Sequence, residues 1–175
     1  MPDLQRVVLT AAVGDTTSTV ASFNDATTVA QFPFDFELDK KSPIKQIDFT
    51  GSDYVTGIRV TYRTKDGASV AQVHGKAPPD GSPNVKLTSD EIFTVVTGRA
   101  GTFNGVNAIL SLQFVSINRA TGDLKTSDVF GNKSKDYPLF YSAGPLLAFL
   151  GKSSNQYLLS LSFALAGEPV DAFGV

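Results

Sequence analysis

The 175-residue chain has no cysteine and a single histidine, His74. Without cysteine there is no disulfide, no thiolate nucleophile and no Cys-ligated metal. One histidine excludes a multi-His metal centre and removes most of the usual means of proton transfer near neutral pH. Charge is scarce too: Asp, Glu, Lys and Arg make up 18% of the chain, against roughly 25% in soluble domains. With 15 basic and 17 acidic side chains, the formal net charge is −2. Nothing draws such a chain to nucleic acid, which needs a clustered cationic excess. Long apolar runs are missing as well. Pro145–Leu150 and Tyr157–Leu165 are split by Gly151-Lys152-Ser153-Ser154-Asn155, and neither reaches the ~20 residues of a transmembrane segment. Met1-Pro2-Asp3-Leu4-Gln5-Arg6 lacks the basic stretch and apolar run of a secretory signal. The expectation is a cytoplasmic protein, or one exported without a signal peptide, that is not an enzyme and needs no cofactor.

What is present is alternation. Ile58, Val60 and Tyr62 alternate with Arg59, Thr61 and Arg63; Leu110, Leu112 and Phe114 with Ser111 and Gln113; Leu159, Leu161 and Phe163 with Ser160 and Ser162. A period of two suits strands with one buried and one wet face. Further strands are expected at 6–13, 44–49, 69–74, 84–87, 92–97 and 138–142. Turn signals separate them: Lys65-Asp66-Gly67, Pro78-Pro79-Asp80-Gly81, Gly98-Arg99-Ala100-Gly101, Gly122-Asp123 and Gly131-Asn132. No window carries a helical stripe, so the chain reads as all-β. The strand centres at Ile58/Val60, Leu112/Phe114 and Leu161/Phe163 lie 54 and 49 residues apart. That is the scale of a threefold repeat of sheets. Residues 14–31 are small and polar and read as a long loop. One domain over residues 1–175 is expected, with a short tail at 166–175.

Motif tests are mostly negative. Gly151-Lys152-Ser153 resembles the end of a phosphate loop, but Leu146 stands where that motif needs glycine, and a strand follows where it needs a helix. His74 has no nucleophile elbow near it and reads as a structural hydrogen-bonder. Asp35, Glu37, Asp39, Asp90, Glu91, Asp123 and Asp171 are scattered and form no calcium loop. Two of them meeting in space could in principle serve a glycosidase, though nothing favours it. Phe32, Phe34 and Phe36 at period two read as core-facing, with a binding platform as the lesser reading. The segment Gly151 to Phe163 is the most informative. Its small polar turn feeds a strand and can present several backbone N–H groups beside an aromatic ring, a combination that suits sugar hydroxyls. An ordinary hairpin is the plainer reading.

Taken in order, these pieces resemble the jacalin-related lectins. Phe34-Asp-Phe-Glu-Leu-Asp through Ile44-Lys-Gln-Ile47 is similar to that family's early F-D-D-G…I-K-x-I stretch. Tyr54 to Tyr62, then Asp66-Gly67, is similar to its V-D-S-I-x-V-x-Y…D-G. Asp90-Glu91-Ile92 through Gly101, Ile109 to Val115, and Leu147 to Ser153 follow in family order. The resemblance implies a β-prism of three four-stranded sheets, carbohydrate binding without catalysis, glycan partners and a homodimer. It also implies a sugar site made of an early glycine loop, here Gly14 and Asp15, a second loop, here Gly98, Arg99 and Ala100, and a turn carrying an aspartate. Aligned on that turn, Gly151, Asn155, Gln156 and Tyr157 fit, but Leu159 stands at the aspartate's position. Alternatively, Gly167-Glu-Pro-Val-Asp171 supplies the carboxylate through Asp171. Being uncut, the chain is expected to take mannose-type glycans. A β-prism that has lost its sugar site and serves as an interaction module is the competing expectation.

Overall fold

A computed structural model describes residues 6–167; Asp171 and most of the 166–175 tail lie outside the described residues. In chain order the elements are β1 (Val7–Leu9), β2 (Val13–Gly14), β3 (Ser22–Asn24), α1 (Asp25–Thr28), β4 (Ile44–Thr50), β5 (Gly57–Arg63), β6 (Ser69–Gly75), β7 (Asn84–Lys86), β8 (Glu91–Phe103), β9 (Val106–Asn118), β10 (Leu124–Thr126), β11 (Phe130–Gly131), β12 (Leu139–Ala143), β13 (Leu146–Ser153) and β14 (Leu158–Ala166). They form three antiparallel sheets. Sheet I runs β1-β14-β13-β3, with β2 also on β14. Sheet II runs β6-β5-β4-β7. Sheet III runs β10-β9-β8-β12, with β11 also on β9. Two sheets thus carry a short fifth strand beyond the four expected.

The threefold plan is visible in the topology. Each sheet centres on one hairpin, β13–β14, β4–β5 or β8–β9, with an outer strand on either side. The three alternating rows seen in the sequence fall on β5, β9 and β14, one per sheet. Sheets II and III take their outer strands from chain that follows the hairpin, whereas sheet I takes them from the N-terminal β1 and β3. The beginning of the chain therefore completes the sheet that its end begins.

The inward faces share one core. Phe114 packs on Phe93 at 4.9 Å and Phe49 at 5.8 Å, and Phe149 packs on Phe163 at 5.7 Å between ring centres. Burying each such side chain contributes about 1.5–3 kcal/mol. One polar cluster penetrates this core. Tyr62 donates to Asp25 Oδ2 at 2.6 Å, the Phe149 N–H donates to the Tyr62 hydroxyl at 3.2 Å, and His74 Nε2 lies 3.0 Å from both Asp25 oxygens. Phe23 stacks on the His74 ring at 3.5 Å. Burial, then the Asp25 charge, pushes the Tyr62 phenol well above its ordinary range. The lone histidine is accordingly a structural hydrogen-bonder that pins the N-terminal segment to sheets I and II.

Several details depart from expectation. Residues 14–31 include β3, which pairs with β13, and α1, which is followed by the buried Val29 and Ala30. Asn24 caps this single turn by accepting from the Thr27 N–H. The row Phe32, Phe34, Phe36 is not one face: Phe36 is buried while Phe34 is 98% exposed. Gly98-Arg99-Ala100-Gly101 is not a turn but the interior of β8, and Gly131 sits in β11 opposite Ser111. Gly151-Lys152-Ser153 likewise ends β13, ahead of the turn.

Candidate functional site

At one end of the prism the three central hairpins meet, and each contributes an aromatic side chain. Tyr54, from the β4–β5 connection, lies 5.4 Å from Phe103 beside the β8–β9 turn and 5.1 Å from Tyr157 beside the β13–β14 turn, both edge-on. The Tyr54 hydroxyl donates to the Phe103 carbonyl. Leu159, 8% exposed, joins Tyr54, Ala108 and Leu110 in this cluster, with Val20, Val106 and Tyr137 packed around it. Backbone bonds stitch the sheets here: Val55 N–H to Ile109 O at 3.0 Å and Leu158 N–H to Val55 O at 3.3 Å. Burial, then the neighbouring Tyr157, Asp53 and Tyr137, pushes the Tyr54 phenol up, so it remains a protonated donor.

On the sheet I side of this cluster, the early loop and the β13–β14 turn come together. Gly14 has φ of +90°, and a Cβ there would stand 2.3 Å from the Leu159 carbonyl oxygen; glycine is what lets the loop reach β14. The Asp15 N–H donates to that same carbonyl at 2.9 Å. Asp15 Oδ1 accepts from Thr17 N–H, Thr17 Oγ1 and Ser18 N–H, an Asx-type turn that shapes the loop. All three bonds fall on one oxygen, and Oδ2 has no hydrogen-bond partner among the described residues. Lys152 ties the loop down by donating to Thr16 O at 3.1 Å and Ser18 O at 2.7 Å.

The turn itself is closed. Ser154 N–H donates to Tyr157 O at 3.0 Å, and Ser154 Oγ accepts from the Gln156 and Tyr157 N–H groups at 3.2 and 3.1 Å. Both backbone donors expected to face a ligand are therefore held by a serine hydroxyl. Gly151 lies within β13, paired with Phe23 and Leu161. Leu159 is packed among apolar side chains, so this position supplies neither charge nor a polar atom to a ligand.

The second expected loop divides. Ala100 lines a cleft of about 280 Å³ together with Gly14, Gly101 and Asn107. Gly98 and Arg99 line a different cleft, of about 150 Å³, on another face of sheet III. The actual tip of the β8–β9 hairpin is Asn104-Gly105, with φ of +45° and +80°. An Asn-Gly pair between alternating apolar rows is the signal for such a turn, and it was present in the sequence. The rim beside the β13–β14 hairpin is thus the Asp15–Ser18 loop, joined to it through Leu159 O and Lys152. Its polar atoms are suited to neutral hydroxyls, and it offers one carboxylate oxygen. Among the carboxylates weighed for acid–base work, three are held in ion pairs. Asp35 and Glu37 both meet Lys65, at 3.4 and 2.7 Å, and Glu91 meets Lys125 at 2.7 Å.

Comparison with known proteins agrees with this architecture. The family model of the Jacalin-like lectin domain matches residues 31–164. Malaysian banana lectin superposes with a TM-score of 0.66 at 14% identity, covering 93% of this chain and 100% of the other. The Calystegia sepium agglutinin gives 0.64 at 17% identity, covering 93% and 98%. AcmJRL, a mannose binding jacalin related lectin from Ananas comosus, gives 0.65 at 16% identity, covering 92% and 99%. Among curated proteins, no relative matches the sequence.

Proposed function

Because the chain belongs to the jacalin-like lectin family, we propose that it is a carbohydrate-binding lectin without catalytic activity, taking mannose- or glucose-type glycans where loop 14–20 meets the 154–157 turn. The observation that carries this reading is the junction of Gly14, Asp15 and the β13–β14 turn. It joins the early loop, through the Asp15 N–H bond to Leu159 O and the two Lys152 bonds, to the hairpin that carries exposed Asn155 and Gln156 and the half-buried Tyr157. In this reading Asp15 replaces the carboxylate missing at Leu159. Sugar hydroxyls donate to Oδ2, and the C–H face of the sugar lies against Tyr157. The mannose preference is supported by the mannose-binding pineapple relative of the same fold.

A glycan array tests the class, and Asp15→Asn tests the site. The amide keeps an oxygen for the Thr17 and Ser18 N–H groups but removes the charge. Glycan affinity should fall about tenfold, the scale of one charge-assisted bond, with an unchanged melting temperature. If no glycan binds at high protein concentration, the lectin reading fails. Leu159 and the Ser154 cap favour one second reading, an interaction module whose sugar site is closed. A blank array together with a protein partner that protects the 154–157 turn from hydrogen exchange would establish it.

A further inference from the structure

We propose that sheet III carries a separate site for a tetrahedral oxyanion, a sulfate or phosphate monoester, on the face turned away from the core. Neighbouring residues Val96, Leu112 and Phe114 point into the core, so Thr97, Arg99, Ser111 and Gln113 project from the opposite face. They do so in register, Thr97 across from Gln113 and Arg99 across from Ser111. The segment after β11 crosses over them and brings Lys133, Ser134 and Lys135 to the same cleft of about 150 Å³. In a chain with only 15 basic residues, three line this one small space, and no carboxylate lines it.

Thr97 Oγ1 donates to Phe140 O at 2.9 Å, Gln113 Nε2 to Ser127 O at 2.9 Å and Ser134 Oγ to Asp136 Oδ2 at 2.8 Å, so the donors offered to an acceptor ligand are chiefly those of Arg99, Ser111, Lys133 and Lys135. Arg99 is oriented by donating from Nη1 to the Tyr137 carbonyl at 2.5 Å, which leaves the rest of its fork free to donate. Lys133 and Lys135 are exposed and make no ion pair among the described residues. Ser111 is 3% exposed, lines the cleft, and its hydroxyl has no hydrogen-bond partner among the described residues. Its oxygen is open to the cleft and not sealed in the core, so it can donate to a ligand there. Asp136 accepts from the Ser134 Oγ at 2.8 Å and Asp128 precedes Val129, but neither lines the cleft. At about 30 Å³ per water, the cleft of about 150 Å³ holds one oxyanion with a few waters beside it. No aromatic ring lines it, which removes the stacking that a nucleobase would need.

This site does not rest on sugar binding at loop 14–20, and the two fail independently. Isotope-labelled protein is titrated with sodium sulfate and with sodium phosphate, against sodium chloride at matched ionic strength, while backbone amide shifts are followed. Saturable shifts at Arg99, Ser111, Gln113 and Ser134 are expected from both oxyanions and not from chloride. Lys133→Ala/Lys135→Ala should weaken binding by at least about tenfold, because two charge-assisted donors are lost. Ser111→Ala, a substitution with little steric consequence, should weaken it severalfold. Matched sulfated and phosphorylated monosaccharides then identify which ester is preferred. Shifts no larger than those from chloride, or shifts that persist unchanged in the double variant, would overturn the proposal.

Discussion

The corners of sheet I and sheet II are built from the same two parts, a central hairpin turn and the loop joining the sheet's outer strands. They end in different states. In sheet I the 154–157 turn folds onto Ser154, Lys152 holds the neighbouring loop by two carbonyls, and Leu159 fills the space beneath. In sheet II the loop before β7 stands away from the β4–β5 turn. Ser52, Asp80, Gly81 and Asp128 border a cleft of about 620 Å³ whose lining includes the Phe49 and Phe130 side chains. Both corners depend on a left-handed glycine against a carbonyl: Gly14 beside Leu159 O, and Gly51, φ of +105°, whose Cβ would lie 2.2 Å from Tyr54 O. The threefold frame decides where corners occur. A few small polar residues decide whether a corner is closed by its own chain or left open to solvent.

The largest effect is expected at the floor of the open corner. Phe49 is 2% exposed and stacks on Phe130 at 3.8 Å. Phe49→Ala should cost about 3–5 kcal/mol in denaturant unfolding, as other core Phe truncations do. A loss under 1 kcal/mol would mean that this floor is not part of the core. Next, Gly14→Ala and Gly51→Ala should each cost on the order of 1–3 kcal/mol through backbone strain. Only the first should also abolish glycan binding; equal losses of binding would erase the distinction between the corners.

A smaller effect concerns Tyr54, which belongs to the sheet II turn but packs in the cluster beside the sheet I corner. Its phenol is raised in the folded state, so its contribution is complete below the unfolded tyrosine value of about 10 and is lost as pH rises past it. Tyr54→Phe should therefore show a flatter loss of stability above pH ~10, with the remaining slope coming from Tyr62. An unchanged slope would show that Tyr54 ionises freely. The smallest effect is at Ser154. Ser154→Ala removes the cap on two N–H groups and should cost about 0.5–1.5 kcal/mol, while glycan affinity rises as those donors become available. If affinity falls instead, the Ser154 hydroxyl is itself a ligand contact.

The three central strands were legible because each buries one face, and the rows Ile58-Val60-Tyr62, Leu110-Leu112-Phe114 and Leu159-Leu161-Phe163 carry that period directly. The pieces missed were those whose pairing is made by backbone rather than by a side-chain pattern. β3 is three residues long and α1 a single turn, too short to show any period. Gly98 has the composition of a turn residue, yet it lies in β8 where a Cβ would strike the Ser111 carbonyl and the Phe140 ring; the tip itself is Asn104-Gly105. The rim was legible only in part. Gly14, Asp15 and the 155–157 stretch follow from the resemblance; the structure ties Gly14 and Asp15 to Leu159 and Ser160, just beyond that stretch. Gly98 and Arg99 line another cleft than Ala100 does, and as neighbours in β8 they point to opposite faces of sheet III. Ser154's cap was invisible, since a hydroxyl that closes its own turn leaves no spacing signature.

The central claim, a glycan held at the closed sheet I corner, is tested most directly by titrating isotope-labelled protein with a mannose-containing oligosaccharide and mapping the amide shifts. The account predicts saturable changes at Asp15, Thr16, Thr17 and Asn155 to Tyr157. No change at any amide, or changes confined to Ser52 and Asp80 to Ser82 at the open corner, would contradict it.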